Sequence, residues 1–115
     1  MKFTINKKDY ELKFGLDFIA HLDKKYHITQ NGFKLGQGLT YVIAQIELGN
    51  PLILLDLIAA ATLANKVKYE DIKKFVEEQE DVETLMMDFI EALKKSPTTR
   101  FTMKRLGQLV EDISK

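Results

Sequence analysis

Two short segments at the start of the chain alternate apolar and polar residues, the pattern of a half-buried β-strand. Phe3 and Ile5 alternate with polar neighbours in the first segment, and Tyr10, Leu12 and Phe14 do so in the second. The polar run NKKD lies between them and predicts the turn of an antiparallel hairpin. A lone hairpin is only marginally stable in water, so we expect its apolar side to pack on helices.

Helical periodicity dominates the rest of the chain, because apolar residues recur there at intervals of three and four. Gly49 fits the end of one predicted helix, Asn50 and Pro51 fit the start of the next, and Asp81 fits an N-cap. The loop predicted at 27–34 has the pair Asn-Gly as its turn signal. The predicted helices cover residues 16–26, 38–48, 51–64, 69–76, 82–93 and 103–113.

These elements predict an α+β fold that is mostly helical, with an N-terminal β-hairpin packed on a bundle of five to six short helices. We expect residues 1–115 to form a single domain. Within it, residues 1–14 would form the hairpin, residues 15–95 the helical core and residues 96–115 a C-terminal helical tail.

The middle of the chain is unusually apolar, since residues 35–64 include only two charged side chains, Glu47 and Asp56. Its longest apolar run is too short to span a bilayer, so we predict no membrane segment. Either the apolar helix at 51–64 is covered entirely by this chain, or part of the surface stays open for a partner. On the second interpretation, the candidate partner contacts are Leu39, Tyr41, Val42, Ile46, Leu54, Leu55 and Ile58.

Two acidic features each allow two interpretations. Asp56 interrupts the apolar helix, and a buried unpaired carboxylate is costly, so it either faces solvent or pairs with a lysine. The run EEQEDVE at 77–83 is either a solvated turn between helices or a docking surface for a basic helix.

Composition excludes several classes of function. The 17 basic and 17 acidic residues cancel, so no global field favours nucleic acid or an anionic membrane. The absence of cysteine excludes a disulfide framework and suits the cytosol, and the N-terminus lacks the apolar stretch of a signal peptide. The only histidines, His21 and His27, and the only serines, Ser96 and Ser114, form no nucleophile–base or zinc-binding pattern. We therefore predict no catalytic residue, no metal site and no cofactor.

The opening of the chain resembles that of small tail assembly chaperones from long-tailed phages and prophages of Gram-positive bacteria. Members of that family often begin F-x-I-N-G-K-x-Y-x-L-K-F-G and continue into a helix ending L-D-K-K-Y, and here the segments read FTINKKDYELKFG and HLDKKY. Lys7 stands where the family often has glycine. Because lysine does not suit a primed turn, we expect a longer turn centred on Lys7 and Lys8.

The resemblance implies a protein that binds the tape measure protein of a phage tail and keeps it soluble while tail tube subunits polymerise around it. The tail tube protein is a second candidate partner, and self-association would also cover apolar surface. Such a chaperone would act in the host cytoplasm and be absent from the mature virion. Two alternatives are a structural component retained in the tail and a small helical nucleic-acid-binding regulator. For the latter, residues 98–105 are the only basic candidate segment.

Overall fold

Two antiparallel hairpins and six α-helices make up the part of the chain that is described in this computed structural model, the backbone of residues 1–114 and the side chains of residues 1–107. The predicted α+β fold, with its N-terminal hairpin followed by helices, is confirmed. The elements in order are β1 (Lys2–Ile5), β2 (Lys8–Glu11), α1 (Leu16–Lys25), β3 (His27–Gln30), β4 (Phe33–Gly36), α2 (Gly38–Glu47), α3 (Ile53–Ala61), a 3-10 turn (Leu63–Asn65), α4 (Tyr69–Glu77), α5 (Val82–Lys95) and α6 (Arg100–Ser114).

The turn of the first hairpin is tighter than the sequence predicts. Ile5 pairs with Lys8, so only Asn6 and Lys7 form the connection. Both have positive φ, 51° and 66°. The prediction of a longer turn centred on Lys7 and Lys8 is therefore wrong. A two-residue turn with two positive φ angles matches the twist of the strands that it joins, and this match outweighs the unfavourable backbone conformation of a lysine.

The first hairpin packs on the helices as predicted. Ile5 is buried, and the ring of Phe3 lies between two aromatic rings of the helical layer. The Phe3 centroid is 4.9 Å from that of Phe75 in α4 and 5.8 Å from that of Phe89 in α5. The N–H of Lys13 donates to the carbonyl of Ala61, which fixes the end of the hairpin against α3.

Residues 27–36 form a second hairpin where the sequence predicts a loop over 27–34. His27 pairs with Gly36 and Gln30 with Phe33, which leaves Asn31 and Gly32 as a two-residue turn with positive φ at both positions. The Asn-Gly pair is a strong hairpin signal when alternating strands flank it. The loop prediction is wrong because it places the Asn-Gly turn inside an irregular loop and overlooks the alternation of apolar and polar residues on both sides of the turn.

The core is built around α3, which is buried on almost all sides. One cluster of buried apolar residues joins the first hairpin to α1, α2, α3, α4 and α5, and Met103 adds the start of α6. The helix α3 begins at Ile53 rather than Pro51, because residues 50–52 form a turn in which the Asn50 side chain accepts the Leu52 N–H at 3.2 Å. It ends at Ala61, three residues earlier than predicted.

In the sequence, Leu16, Ile19, Leu22 and Tyr26 recur at helical spacing and predict the buried face of α1, but the structure buries a different set. Phe18 and Leu22 enter the core, whereas Leu16 is 74% exposed. The centroid of the Phe14 ring lies 5.1 Å from that of the Phe18 ring, edge to face. This contact favours the orientation of α1 in which Phe18, in its first turn, faces the core.

Helix boundaries elsewhere follow the sequence signals. Gly49 closes α2 with a φ of +74°. Asp81 caps α5, because its Oδ1 accepts the Thr84 N–H at 3.0 Å. The helix then ends at Lys95, before the Ser96–Pro97 pair. The terminal helix predicted at 103–113 lies within α6, whose side chains beyond residue 107 are outside the described residues.

Candidate functional site

The candidate partner contacts divide sharply between the core and the surface. Leu39, Val42, Ile46, Leu54, Leu55 and Ile58 are all buried, each exposing 8% or less. Tyr41 alone of the seven is exposed, at 39%. The burial of α3 supports the interpretation that the chain covers this helix itself. A partner-binding role for the six buried residues stays a prediction, and in this conformation only Tyr41 offers surface to another protein.

Tyr41 belongs to an exposed stripe along α2. Thr40, Tyr41, Ala44, Glu47 and Leu48 are exposed at the spacing i, i+1, i+4, i+7 and i+8, which places them on one side of the helix. We call this stripe the α2 outer face. Leu48 is 78% exposed, and Glu47 is the only charged member. The stripe is therefore a lightly charged surface about 15 Å long, the length of a ten-residue helix.

A small polar cluster underneath holds the Tyr41 ring in place. The Tyr26 ring stacks on it with a centroid distance of 3.9 Å and an interplanar angle of 15°. The Tyr26 hydroxyl donates to Asp56 Oδ2, and Lys25 Nζ lies 2.6 Å from Asp56 Oδ1. Of the two interpretations of Asp56, pairing with a lysine is the one that the structure bears out.

Burial and the shared carboxylate of Asp56 both raise pKa values in this cluster. Burial, followed by the hydrogen bond to Asp56, raises the pKa of Tyr26 to about 12. The hydrogen bond to Asp56 raises the pKa of Lys25 above its ordinary value. Both groups therefore stay protonated at neutral pH, and both continue to donate to Asp56.

The second hairpin presents an apolar face to solvent at the N-terminal end of α2. Ile28 pairs with Leu35, and Gln30 pairs with Phe33, so that these four side chains share one face. All eight strand residues are exposed, and Phe33 exposes 72% of its surface. We call Ile28, Phe33 and Leu35 the hairpin patch. Only Phe33 is largely uncovered, since Ile28 is 50% and Leu35 42% exposed.

A groove lies at the opposite end of α2, between the turn that follows this helix and the first turns of α5. Its volume is about 430 Å³. Met87 is 53% exposed in its wall, and Glu47 and Glu83 provide carboxylates. The lining is otherwise apolar or backbone. We call it the α2–α5 groove, and its lining residues are Ile46, Glu47, Gly49, Pro51, Val82, Glu83, Met86 and Met87.

Glycines fix the path of the chain from the hairpin patch into α2. The N–H of Gly38 donates to Asp23 Oδ1 at 2.8 Å, so that a carboxylate from α1 caps α2. A Cβ at Gly36 would overlap the Asp23 carboxylate, and one at Gly38 would lie 2.6 Å from the Leu22 Cβ. The absence of side chains at these two positions leaves room for the Asp23 carboxylate and for the close approach of α2 to α1.

Two features of other functional classes, a metal site and a membrane-spanning helix, are missing from the described residues. No group of three or more His, Asp or Glu side chains with the geometry of a metal site occurs within residues 1–107. None of the helices in residues 1–114 combines the length and apolarity that crossing a bilayer requires.

Comparison with known families gives a match that spans almost the whole chain. A family model described as phage tail assembly chaperone protein, TAC, matches residues 2–108. The chain belongs to the phage tail assembly chaperone family. No curated protein and no solved structure matches it significantly.

Membership of the tail assembly chaperone family indicates protein partners from the phage tail and a non-enzymatic role. The surfaces that this chaperone offers are only partly those that the sequence indicates. The hairpin patch is missed because residues 27–34 are read as a loop, although the Asn31-Gly32 pair is its signal. The α2–α5 groove has no comparable local signal, because Met86 and Met87 meet the end of α2 only through the tertiary fold.

Proposed function

We propose that this chain binds the tape measure protein of a phage tail and keeps that long helical protein soluble while tail tube subunits assemble around it. The observation that carries the proposal is the α2 outer face, an exposed stripe with a single charge, in a chain that belongs to the tail assembly chaperone family. The chaperone would act in the cytoplasm of the host and leave before the virion is complete.

The α2 outer face suits an amphipathic client helix for two reasons. Small and apolar side chains along it, Ala44 and Leu48 among them, allow a second helix to approach closely and to bury its own apolar stripe. Tyr41 is fixed from below by Tyr26, so little side-chain freedom is lost when it is covered. Aromatic residues held in this way are typical anchors of protein interfaces.

The predicted contacts are accordingly revised. Tyr41 remains in the proposed interface, and Ala44 and Leu48 join it because they are exposed on the same side of the helix. The six buried candidates lie in the core instead.

Co-expression with the tape measure protein of the same phage tests the proposal. We expect this chain to move the tape measure protein from the insoluble to the soluble fraction and to co-purify with it. The double variant Ala44→Gln and Leu48→Gln should lose this effect, because it replaces apolar contact area with two amides that need hydration. Leu16→Gln is the matched control, since Leu16 is 74% exposed, close to the 78% of Leu48, but lies on α1.

The outcomes are distinct. A tape measure protein that remains insoluble with the wild-type chain contradicts the chaperone function. If the Leu16→Gln control solubilises the tape measure protein as poorly as the double variant, the proposed location of the interface on α2 is wrong. Mass spectrometry of purified virions tests departure from the tail, because a retained structural component would be present there.

A further inference from the structure

We propose that the Asn31-Gly32 turn, at the tip of the second hairpin, is a site of spontaneous covalent modification. The side-chain amide of Asn31 is converted there, through a cyclic imide, into aspartate and isoaspartate. The reaction needs only water and a base, and it goes beyond the proposed function. It depends on the residue that follows the asparagine and on how firmly the turn is packed against the rest of the fold.

The chemistry joins the side chain of Asn31 to the backbone of the next residue. A solvent base removes the proton from the Gly32 backbone nitrogen, and this nitrogen attacks Cγ of Asn31. The new N–Cγ bond closes a succinimide ring, while the bond from Cγ to Nδ2 breaks and the amide nitrogen takes a proton from water and leaves as ammonia. Water then opens the ring at Cγ, which gives aspartate, or at the main-chain carbonyl carbon of Asn31, which gives isoaspartate.

Local sequence favours Asn31 among the four asparagines of the chain. Gly32 has no side chain to block its nitrogen, and open space surrounds the position where a Cβ would lie. Lysine follows both Asn6 and Asn65, and its side chain crowds the corresponding nitrogen. Proline follows Asn50 and has no backbone N–H to lose.

Two of these asparagines begin turns of the same conformation. Asn6 and Lys7 have φ angles of 51° and 66°, and Asn31 and Gly32 have φ angles of 53° and 80°. Each pair forms the two-residue connection of its hairpin, and each pair is exposed. Because ring closure requires rotation about the Cα–C bond of the asparagine, the reaction takes place in molecules whose turn has opened.

Opening should cost less in the second hairpin than in the first. Ile5, directly before the first turn, is 1% exposed, and that turn lines one cleft with Phe75 of α4. Gln30 and Phe33 flank the second turn, and none of the strand residues of this hairpin reaches the core. Two-stranded hairpins are only marginally stable by themselves. The second turn should therefore open more often, and reaction through an open state follows the population of that state.

Either product changes the hairpin patch. Both products place a carboxylate at the tip, two residues from Phe33 in the chain. Isoaspartate also routes the main chain through Cβ and Cγ, which lengthens a turn whose twist matches the strands. Ile28 and Leu35 pair across the strands, so they should lose their register in the isoaspartate form.

Peptide mapping by mass spectrometry tests the proposal on the purified full chain after incubation in mildly alkaline buffer. We expect first-order loss of the Asn31 amide, faster as the pH is raised, with both acids as products. Asn6, Asn50 and Asn65 should stay intact over the same time. A parallel incubation in concentrated urea gives the rates of the unfolded chain.

Lys7→Gly is the matched variant, because it creates a second Asn-Gly pair in the packed hairpin. In the folded variant, Asn6 should lose its amide at least about tenfold more slowly than Asn31, since the two turns differ in the free energy of opening. In urea the two sites should react at similar rates, because only the local sequence then distinguishes them.

Three results would overturn the proposal. An Asn31 that stays intact in the folded protein, while the chain in urea is converted, shows that the hairpin protects this site. Earlier amide loss at another asparagine of the wild-type chain places the reactive site elsewhere. Equal rates at Asn6 and Asn31 in folded Lys7→Gly show that packing does not control the reaction. None of these measurements involves the tape measure protein, so failure here and failure of the proposed function are distinguishable.

Discussion

Lys7 has a left-handed backbone conformation that glycine adopts without steric cost, at a φ of 66°. A non-glycine residue in this region loses about 1–2 kcal/mol. Lys7→Gly should therefore raise the free energy of unfolding by about 1 kcal/mol, once the greater entropy of glycine in the unfolded chain is subtracted. Urea denaturation of both proteins measures the change.

The adjacent lysine provides the control. Lys8 lies in β2, where positive φ is not required, so Lys8→Gly should lower the free energy of unfolding instead. A loss of stability in Lys7→Gly would show that the turn differs in solution from the one described.

Asp81 makes the stability of α5 depend on pH. Hydrogen bonds from the Thr84 N–H and hydroxyl hold the pKa of this carboxyl below its ordinary value of 3.8. A depressed pKa in the folded state means that the stabilisation is complete above the ordinary value and is lost as the pH falls through the folded value. Wild type should thus be more stable than Asp81→Ala at neutral pH, and the difference should shrink in acid.

The variant Asp81→Asn separates the charge from the cap. Asparagine caps a helix about as well as aspartate but does not titrate. Its advantage over alanine in thermal melts should stay constant between neutral pH and acid. If the stability difference between wild type and Asp81→Ala also stays constant with pH, the charge of Asp81 is not the origin of the stabilisation.

Among the elements, those with a strong local signal are predictable from the sequence, and those defined by packing are not. The periodicity of α5 and its Asp81 cap locate that helix correctly. The second hairpin has the Asn-Gly turn signal in its sequence, but none of its strand residues reaches the core, so the usual alternation of core and solvent does not mark its strands. On α1, spacing alone does not decide between Leu16 and Phe18, because the choice depends on the Phe14 ring.

The junction between α1, the second hairpin and α2 depends on one carboxylate. Asp23→Ala removes the acceptor for the Gly38 N–H and should lower the free energy of unfolding by about 1 kcal/mol, the usual cost of losing a helix cap. Gly36→Ala should cost a similar amount, because its Cβ would displace the same carboxylate.

A double-mutant cycle tests whether the stability losses in Asp23→Ala and Gly36→Ala have the same cause. Once Asp23 is alanine, the added Cβ at Gly36 has no carboxylate to displace, so the double variant should be little worse than either single variant. Additive losses would show that the glycine is required for a different reason.

At the scale of the whole molecule, α3 is the element on which the other layers pack. Ile58 is fully buried, and Ile58→Ala should lower the free energy of unfolding by about 2–5 kcal/mol in denaturant titrations. Leu16→Ala removes an exposed side chain of similar size and should change it by less than about 0.5 kcal/mol. A small effect of Ile58→Ala would mean that the apolar middle of the chain is less enclosed in solution, which would return its residues to consideration as partner contacts.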